Sequence, residues 1–136
     1  MQFEKTVLLI DDDKDDLEML QEALNTINRD HRIIEALNGM QGLEKLNQMA
    51  ASGTLPCLIV LDINMPRMDG RQTFVALKTD NRFTHVPVVI FSTSSSQLDK
   101  TFFEHHKTAY LVKPVNFTEL ARTASRMINI CYHKSA

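Results

Sequence analysis

Residues 58–70 read LIVLDINMPRMDG, in which four consecutive apolar residues, 58–61, end on the carboxylate of Asp62. A short run that is apolar at every position is typical of a central strand buried on both faces of a parallel sheet. Pro66 and Gly70 follow and predict a loop before the next helix. The segment therefore predicts a buried strand that delivers an acidic side chain to its carboxyl end.

The same pattern repeats on either side of this segment, with apolar runs alternating with stretches of helical periodicity. The predicted strands are residues 7–10, 32–36, 58–61, 88–91 and 110–112. The last helix has the clearest apolar stripe, formed by Leu120, Ala124, Met127, Ile128 and Cys131. Ser96 and Asn116 are suited to cap the fourth and fifth helices. Five such alternations predict an α/β fold, a parallel sheet with helices on both faces.

The composition is that of one globular domain. The chain has 136 residues, 43% of them hydrophobic, and a formal net charge of -2. This length is sufficient for one self-supporting core, and the charge balance argues against nucleic-acid binding. We expect a single domain over residues 1–136, with no output domain and no membrane segment.

The number of cysteines indicates the redox state of the cellular compartment. Cys57 and Cys131 are too few for a disulfide framework and lack metal-ligand spacing. We therefore expect reduced thiols with structural roles, and a cytoplasmic protein.

Polar residues that can hold a cation and a phosphoryl group follow four of the predicted strands. They are Asp11 and Asp12, Asp62, Ser92 and Lys113. In an open α/β sheet the carboxyl ends of the strands share one edge, where ligands bind. The sequence therefore predicts that these side chains converge.

Carboxylates that lie together raise one another's pKa, and a hard divalent cation removes that penalty. Mg²⁺ suits such a site because it takes one or two protein carboxylates, waters and phosphate oxygens. We expect Asp12 to bind directly, Asp11 to hold a coordinated water, and Asp62 to add a second carboxylate. The backbone carbonyl of Asn64 would be the third protein oxygen.

Three further acidic residues, Asp13, Asp15 and Asp16, have a simpler interpretation. Aspartate caps helices and is stabilised at the positive end of the helix dipole. We expect these three to form a solvated helix start.

Asp62 is the candidate nucleophile. A carboxylate can form an aspartyl phosphate when the charge on the transferred group is neutralised. Lys113 and the hydroxyl of Ser92 are candidates for that role. Taken singly, each has an ordinary alternative: a structural aspartate, a surface lysine or a turn serine. Pro114 biases Lys113 toward an extended conformation, with its peptide bond cis or trans.

With these residues in place, the chain closely resembles the receiver domain of bacterial two-component response regulators, typified by the chemotaxis receiver. The resemblance covers residues 6 to about 132 and rests on four motifs: VLLIDDD, LIVLDINMPRMDG, PVVIFSTS and YLVKP. It implies a flavodoxin-like, doubly wound five-stranded sheet of order 2-1-3-4-5 with five helices. It also implies a phosphoacceptor switch that takes its phosphoryl group from a sensor histidine kinase.

Carried over by position, the resemblance makes Asp62 the phospho-acceptor, Asp11 and Asp12 the acidic pair, and Asn64 the backbone metal ligand. Ser92 takes the switch hydroxyl position, Lys113 the lysine position, and Tyr110 that of the aromatic switch residue. A downstream protein of unknown identity would read the face formed by the fourth helix, fifth strand and fifth helix.

The chain departs from the family pattern after the switch hydroxyl. The next residue there is usually alanine or glycine, whereas here it is Thr93, which we expect to narrow access to the phosphoryl group. The wider pattern is similar to small stand-alone receivers that accompany sensor kinases, including phytochrome-type ones.

Other functions are open at this point. A degenerate receiver would bind partners without phosphorylation, and a phosphatase of the haloacid dehalogenase type would also form an aspartyl phosphate. Those enzymes need a second acid two residues after the nucleophile, where this chain has Asn64. A flavin-binding flavodoxin is disfavoured because carboxylates follow the first strand. We expect no turnover of an external substrate, and the sequence leaves monomer or dimer open.

Overall fold

The computed structural model describes residues 5–27 and 30–132. Five strands and five helices alternate along it. They are β1 Lys5–Ile10, α1 Lys14–Ile27, β2 His31–Ala36, α2 Gly39–Ala51, β3 Leu58–Leu61, α3 Gly70–Thr79, β4 Val88–Ser92, α4 Gln97–His105, β5 Ala109–Val112 and α5 Phe117–Tyr132. Each predicted strand lies inside an observed one, and β1 begins two residues earlier than its apolar run.

The strands form one parallel sheet of order β2-β1-β3-β4-β5. This confirms the predicted doubly wound α/β fold of order 2-1-3-4-5. The polar residues that follow β1, β3, β4 and β5 thus end four adjacent strands. The order of the sheet therefore determines where the site can form.

The core lies in two layers, one on each face of the sheet. Successive strand residues point to opposite faces, so Val60 packs with α1 and α5 while Ile59 packs with α3. Every residue of β3 is at most 4% exposed, as expected for a central strand. All five stripe residues of α5 are buried, which confirms the predicted stripe.

Local capping signals work as the sequence indicates. The side chain of Ser96 accepts a hydrogen bond from the backbone N–H of Asp99, and that of Asn116 accepts one from Glu119. Asp69 and Gln72 form a capping box at the start of α3, which the sequence analysis did not identify. In the described ranges, no helix has both the length and the apolar character that a bilayer span requires.

The cysteines depart from expectation. Cys57 and Cys131 form a disulfide, with their Cα atoms 5.0 Å apart although 74 positions separate them in sequence. The prediction of two reduced thiols is wrong for this structure. The physical reason is that α5 packs across the sheet near the start of β3, which brings its last buried stripe position onto Cys57.

Candidate functional site

The acidic residues after β1 and β3 converge as predicted. Asp11, Asp12 and Asp62 each offer a carboxylate oxygen, and these three oxygens lie within 4.8 Å of one another. Asp11 and Asp62 are each 7% exposed, whereas Asp12 is exposed to solvent. Two buried carboxylates and one open to water form a donor set that suits a hard divalent cation retaining water ligands.

The electrostatics of Asp11 support this interpretation. Burial raises the pKa of Asp11 to about 6, and the nearby charge of Asp62 adds to the shift. Hydrogen bonds from Lys113 and from the backbone N–H of Asp13 oppose it. The positive charge of Lys113 is therefore not enough to neutralise the neighbouring carboxylates, and a bound cation would supply the remainder.

Asp62 is held by the backbone on both sides. Its own N–H donates to the carbonyl of Ile10 at 3.0 Å, and the N–H of Ile63 donates to its Oδ1 at 2.8 Å. Gly70 packs against the same turn: a Cβ there would lie 2.6 Å from the Cα of Ile63 and closer still to the carbonyl oxygen of Asp62. The loop leading to α3 thus needs glycine at this position.

Lys113 reaches the carboxylates from β5. Its Nζ donates to Oδ2 of Asp11 at 2.6 Å and lies 3.6 Å from Oδ2 of Asp62, and its side chain is only 8% exposed. Burial alone would lower the pKa of Lys113, but hydrogen bonds to Asp11 and Asp16 and the charge of Asp62 raise it above its usual value. The ammonium is therefore a permanent positive charge beside Asp62. Its bond to Pro114 is trans, since no peptide bond in the described part of the chain is cis.

Asp16 corrects one expectation. Its Oδ2 accepts a hydrogen bond from Lys113 Nζ at 2.7 Å, so it faces the site and is not merely part of a solvated helix start. Asp13 does behave as predicted, because its Oδ1 accepts from the backbone N–H groups of Asp15 and Asp16. Asp16 lies on α1, so its orientation depends on how that helix packs on the sheet, and no local sequence pattern indicated it.

Ser92 and Tyr110 are joined through the loop between β4 and α4. Ser92 is fully buried, and its Oγ accepts from the N–H of Ser94 at 3.2 Å. The hydroxyl of Tyr110 donates to the carbonyl oxygen of Ser94 at 2.7 Å. Two hydrogen bonds thus link the candidate switch hydroxyl to the candidate aromatic switch residue.

The same loop is tied to two helices by a network that the sequence analysis missed. The Oγ of Ser94 donates to Oδ2 of Asp99 at 3.0 Å, and Asp99 also pairs with Arg71 of α3. The guanidinium of Arg71 lies 5.1 Å from the ring centre of Phe102, a cation–π distance. These residues are far apart in sequence, so no local pattern could reveal them. Asn64 lies exposed in the loop after Asp62.

Comparison with known proteins places this arrangement in a family. Residues 7–125 match the response regulator receiver domain. Response regulator Rcp1 of Synechocystis sp. (strain ATCC 27184 / PCC 6803 / Kazusa) is 34% identical over 119 residues, which cover 85% of this chain and 81% of Rcp1.

Solved structures agree with this match. The phosphorylated cyanobacterial phytochrome response regulator RcpA is 28% identical, with a TM-score of 0.87 over 98% of each chain. The Mn²⁺-bound form of Rcp1 is 30% identical, with a TM-score of 0.81 over 97% of each chain. The chain therefore belongs to the response regulator receiver domain family of two-component signalling.

Proposed function

We propose that this protein is a phosphoacceptor switch that receives a phosphoryl group on Asp62. The observation that carries the proposal is the convergence of three carboxylates and one buried ammonium. Oxygens of Asp11, Asp12 and Asp62 lie within 4.8 Å of one another, and Lys113 Nζ lies 3.6 Å from Asp62. An isolated structural aspartate would not need such a setting.

Mg²⁺ is the proposed cofactor, and the residues fit it. Asp11, Asp12, Asp62 and the backbone carbonyl of Asn64 would hold the ion, with Asp11 acting through a water. When bound, Mg²⁺ neutralises the negative charge that gathers on the oxygens of a transferred phosphoryl group. The raised pKa of Asp11 supports this assignment, because a bound cation would relieve it.

In the proposed reaction, a carboxylate oxygen of Asp62 forms a bond to phosphorus while the bond from phosphorus to the donor atom breaks. The donor keeps the electron pair and leaves as the imidazole of a histidine kinase or, with acetyl phosphate, as acetate. The ammonium of Lys113 neutralises charge on the transferred oxygens, and the hydroxyl of Ser92 donates a hydrogen bond to one of them. Hydrolysis of the aspartyl phosphate later resets the switch.

The signal would pass through the loop after β4. If Ser92 moves toward a phosphoryl group on Asp62, its hydrogen bond with the N–H of Ser94 is disturbed, and Ser94 is also the anchor of the Tyr110 hydroxyl. Tyr110 would then change how the face of α4, β5 and α5 is presented to a downstream protein. Val115 is 97% exposed and Leu98 is 78% exposed, which gives that region apolar atoms for a partner to cover.

The proposed upstream partner is a sensor histidine kinase. A phytochrome-type kinase is favoured, because RcpA is described as a phytochrome response regulator and is similar along nearly its whole length. We propose a receiver acting in the cytoplasm, where histidine kinases use ATP, with no direct nucleic-acid contact and no turnover of an external substrate.

The test is the intact mass of the protein after incubation with acetyl phosphate and Mg²⁺. Wild type should gain one phosphoryl group, Asp62→Asn should gain none, and Asp15→Asn, which changes an exposed carboxylate, should behave as wild type. No adduct from acetyl phosphate or from a phosphorylated kinase would favour a degenerate binding module. Rapid hydrolysis of many phosphomonoesters would favour a phosphatase.

A further inference from the structure

The ammonium of Lys113 is shared among three carboxylates. It donates to Asp11 at 2.6 Å and to Asp16 at 2.7 Å, and it stands 3.6 Å from Asp62, beyond hydrogen-bond distance. A lysine ammonium has three N–H donors. Two of them are therefore committed, and the third is left beside the phospho-acceptor.

Asp16 differs from the other two carboxylates in one respect. Asp11 and Asp62 belong to the group of oxygens that could hold a cation, whereas Asp16 does not. A bound cation would partly neutralise the Asp11 carboxylate and so weaken the attraction between Asp11 and Lys113. Asp16 would then be the carboxylate that continues to hold the lysine.

Without Asp16, Lys113 keeps Asp11 as one acceptor, and Asp62 is the next carboxylate within reach of the N–H that is set free. The gap of 3.6 Å closes to a direct ion pair with a movement of less than about 1 Å. A carboxylate oxygen that accepts a short hydrogen bond from an ammonium is a weaker nucleophile, because its lone pair is engaged. Holding Lys113 away from Asp62 therefore keeps the phospho-acceptor reactive.

Asp16 is fixed in place by the start of α1. It lies in the first turn of α1, where the carboxylate of Asp13 accepts its backbone N–H at 3.2 Å. A negative side chain is stabilised there by the helix dipole. The Asp16 side chain is 33% exposed, which leaves it partly hydrated when Lys113 shifts.

We propose that Asp16 is a positioning residue for Lys113: it holds the ammonium off Asp62 before phosphoryl transfer and leaves one N–H free for the incoming phosphoryl oxygens. This inference rests on the proposed function and adds a residue to its machinery. It assigns the third acidic residue after the Asp11-Asp12 pair a role that its helix-start setting does not suggest.

The first experiment is the rate of phosphorylation by acetyl phosphate, measured by intact mass over a range of donor concentrations with Mg²⁺ in excess. Asp16→Asn removes the charge and keeps the shape of the side chain. Loss of one preorganised electrostatic group commonly costs about a hundredfold in rate. In Asp16→Asn the Lys113 ammonium is still present but is displaced, so we expect a smaller loss of about tenfold. The maximal rate should therefore fall about tenfold while the half-saturating donor concentration changes little.

Two variants serve as controls. Asp15→Asn makes the same change in net charge in the same helical turn, at an exposed side chain, and should leave both constants unchanged. Asp16→Glu restores a carboxylate and should recover most of the rate. Equal slowing of Asp15→Asn and Asp16→Asn, or no slowing of either, would overturn the proposal, as would an Asp16→Glu variant no faster than Asp16→Asn.

A second measurement does not depend on phosphorylation. NMR couplings across hydrogen bonds can identify which carboxylate carbon is linked to the Lys113 ammonium nitrogen. Wild type should show Asp11 and Asp16, and Asp16→Asn should show Asp62 in place of Asp16. If wild type takes up no phosphoryl group, the proposed function fails but this test still stands. If Asp62 does not appear in Asp16→Asn, the positioning role fails whatever the phosphorylation result.

Discussion

The hydroxyl of Tyr110 on β5 donates a hydrogen bond of 2.7 Å to the backbone carbonyl of Ser94, two residues beyond the end of β4. The bond fixes the half-buried ring against the loop that also carries Ser92. Any shift of that loop must therefore stretch or break this contact or move the ring with it. The bond therefore connects the proposed phosphoryl site with β5 through the backbone of Ser94.

Tyr110→Phe should keep the ring and lose this link. The free energy of unfolding should fall by about 1 kcal/mol in urea titrations, the usual net value of one hydrogen bond. Backbone amides of residues 93–96 should exchange faster with deuterium. Tyr132→Phe is the matched control, because the Tyr132 hydroxyl has no hydrogen-bond partner among the residues that the structure describes. Equal effects of the two variants would show that the Tyr110–Ser94 bond carries no stability.

Gly70→Ala should disturb Asp62 from the opposite side of its loop. The added Cβ would meet backbone atoms of residues 62 and 63, which cannot rotate away as a side chain could. We expect a loss of about 1–3 kcal/mol in stability, typical of overpacking, together with weaker Mg²⁺ binding by isothermal titration calorimetry. Gly53→Ala places a methyl group in open space and should leave Mg²⁺ affinity unchanged, although its φ of 77° makes that substitution strained. Unaltered Mg²⁺ affinity in Gly70→Ala would contradict the expectation.

The raised pKa of Asp11 predicts a defined pH dependence. Its ordinary value of 3.8 becomes about 6 in the folded protein, so the folded state binds a proton more tightly than the unfolded state does. The resulting stability is present below about pH 4 and is lost as the pH rises through about 6. Urea titrations of the metal-free protein should show this decline.

Asp11→Asn should remove this component, so a variant with the same pH slope as wild type would refute the assignment. The pH dependence of stability contributed by Asp80 should have the opposite sign and serves as a control, because its hydrogen bonds with Arg82 hold the pKa of Asp80 below the usual range. Its contribution is present above that range and is lost on acidification. Added Mg²⁺ should restore wild-type stability above pH 6 and have less effect in Asp11→Asn.

Thr93→Ala should open the approach to Asp62. Thr93 is exposed and directly follows the buried Ser92, and we expect its side chain to lie beside the path of a phosphodonor. Acetyl phosphate should phosphorylate the variant faster than wild type in a mass-based time course. Ser95→Ala, an exposed position in the same loop, should not change the rate. Equal rates for Thr93→Ala and wild type would remove any role of Thr93 in access.

The Cys57–Cys131 bond predicts a redox-dependent stability. The bond closes a long loop, and loss of such a disulfide typically costs about 2–4 kcal/mol. Cys57→Ser should therefore be less stable than oxidised wild type by about this amount, and the difference should shrink in the presence of dithiothreitol. Two alkylatable thiols in unreduced, denatured wild type would show that the bond does not form.

Much of the site could be predicted because it depends on strand ends alone. An apolar run indicates where a strand stops, and parallel strands present their carboxyl ends at one edge, so Asp11, Asp62 and Lys113 had to approach one another. The resemblance to receiver domains added the strand order, which makes β1, β3, β4 and β5 neighbours and is confirmed. These features follow from the spacing of apolar residues and from the polar residues that end each apolar run, and both can be read directly from the sequence.

Other features depended on tertiary packing. The rotation of α1 on the sheet decides that Asp16 faces Lys113 while Asp15 faces water, and the path of α5 brings Cys131 to Cys57. The contacts of Ser94 with Tyr110 and Asp99 likewise join segments that share no sequence pattern. By itself the sequence determined the fold class and the edge of the sheet that carries the chemistry, since these follow from burial patterns. Only the tertiary structure decided which other charges pair at that edge, because the 2.7 Å contact between Lys113 and Asp16 depends on how α1 packs against the sheet.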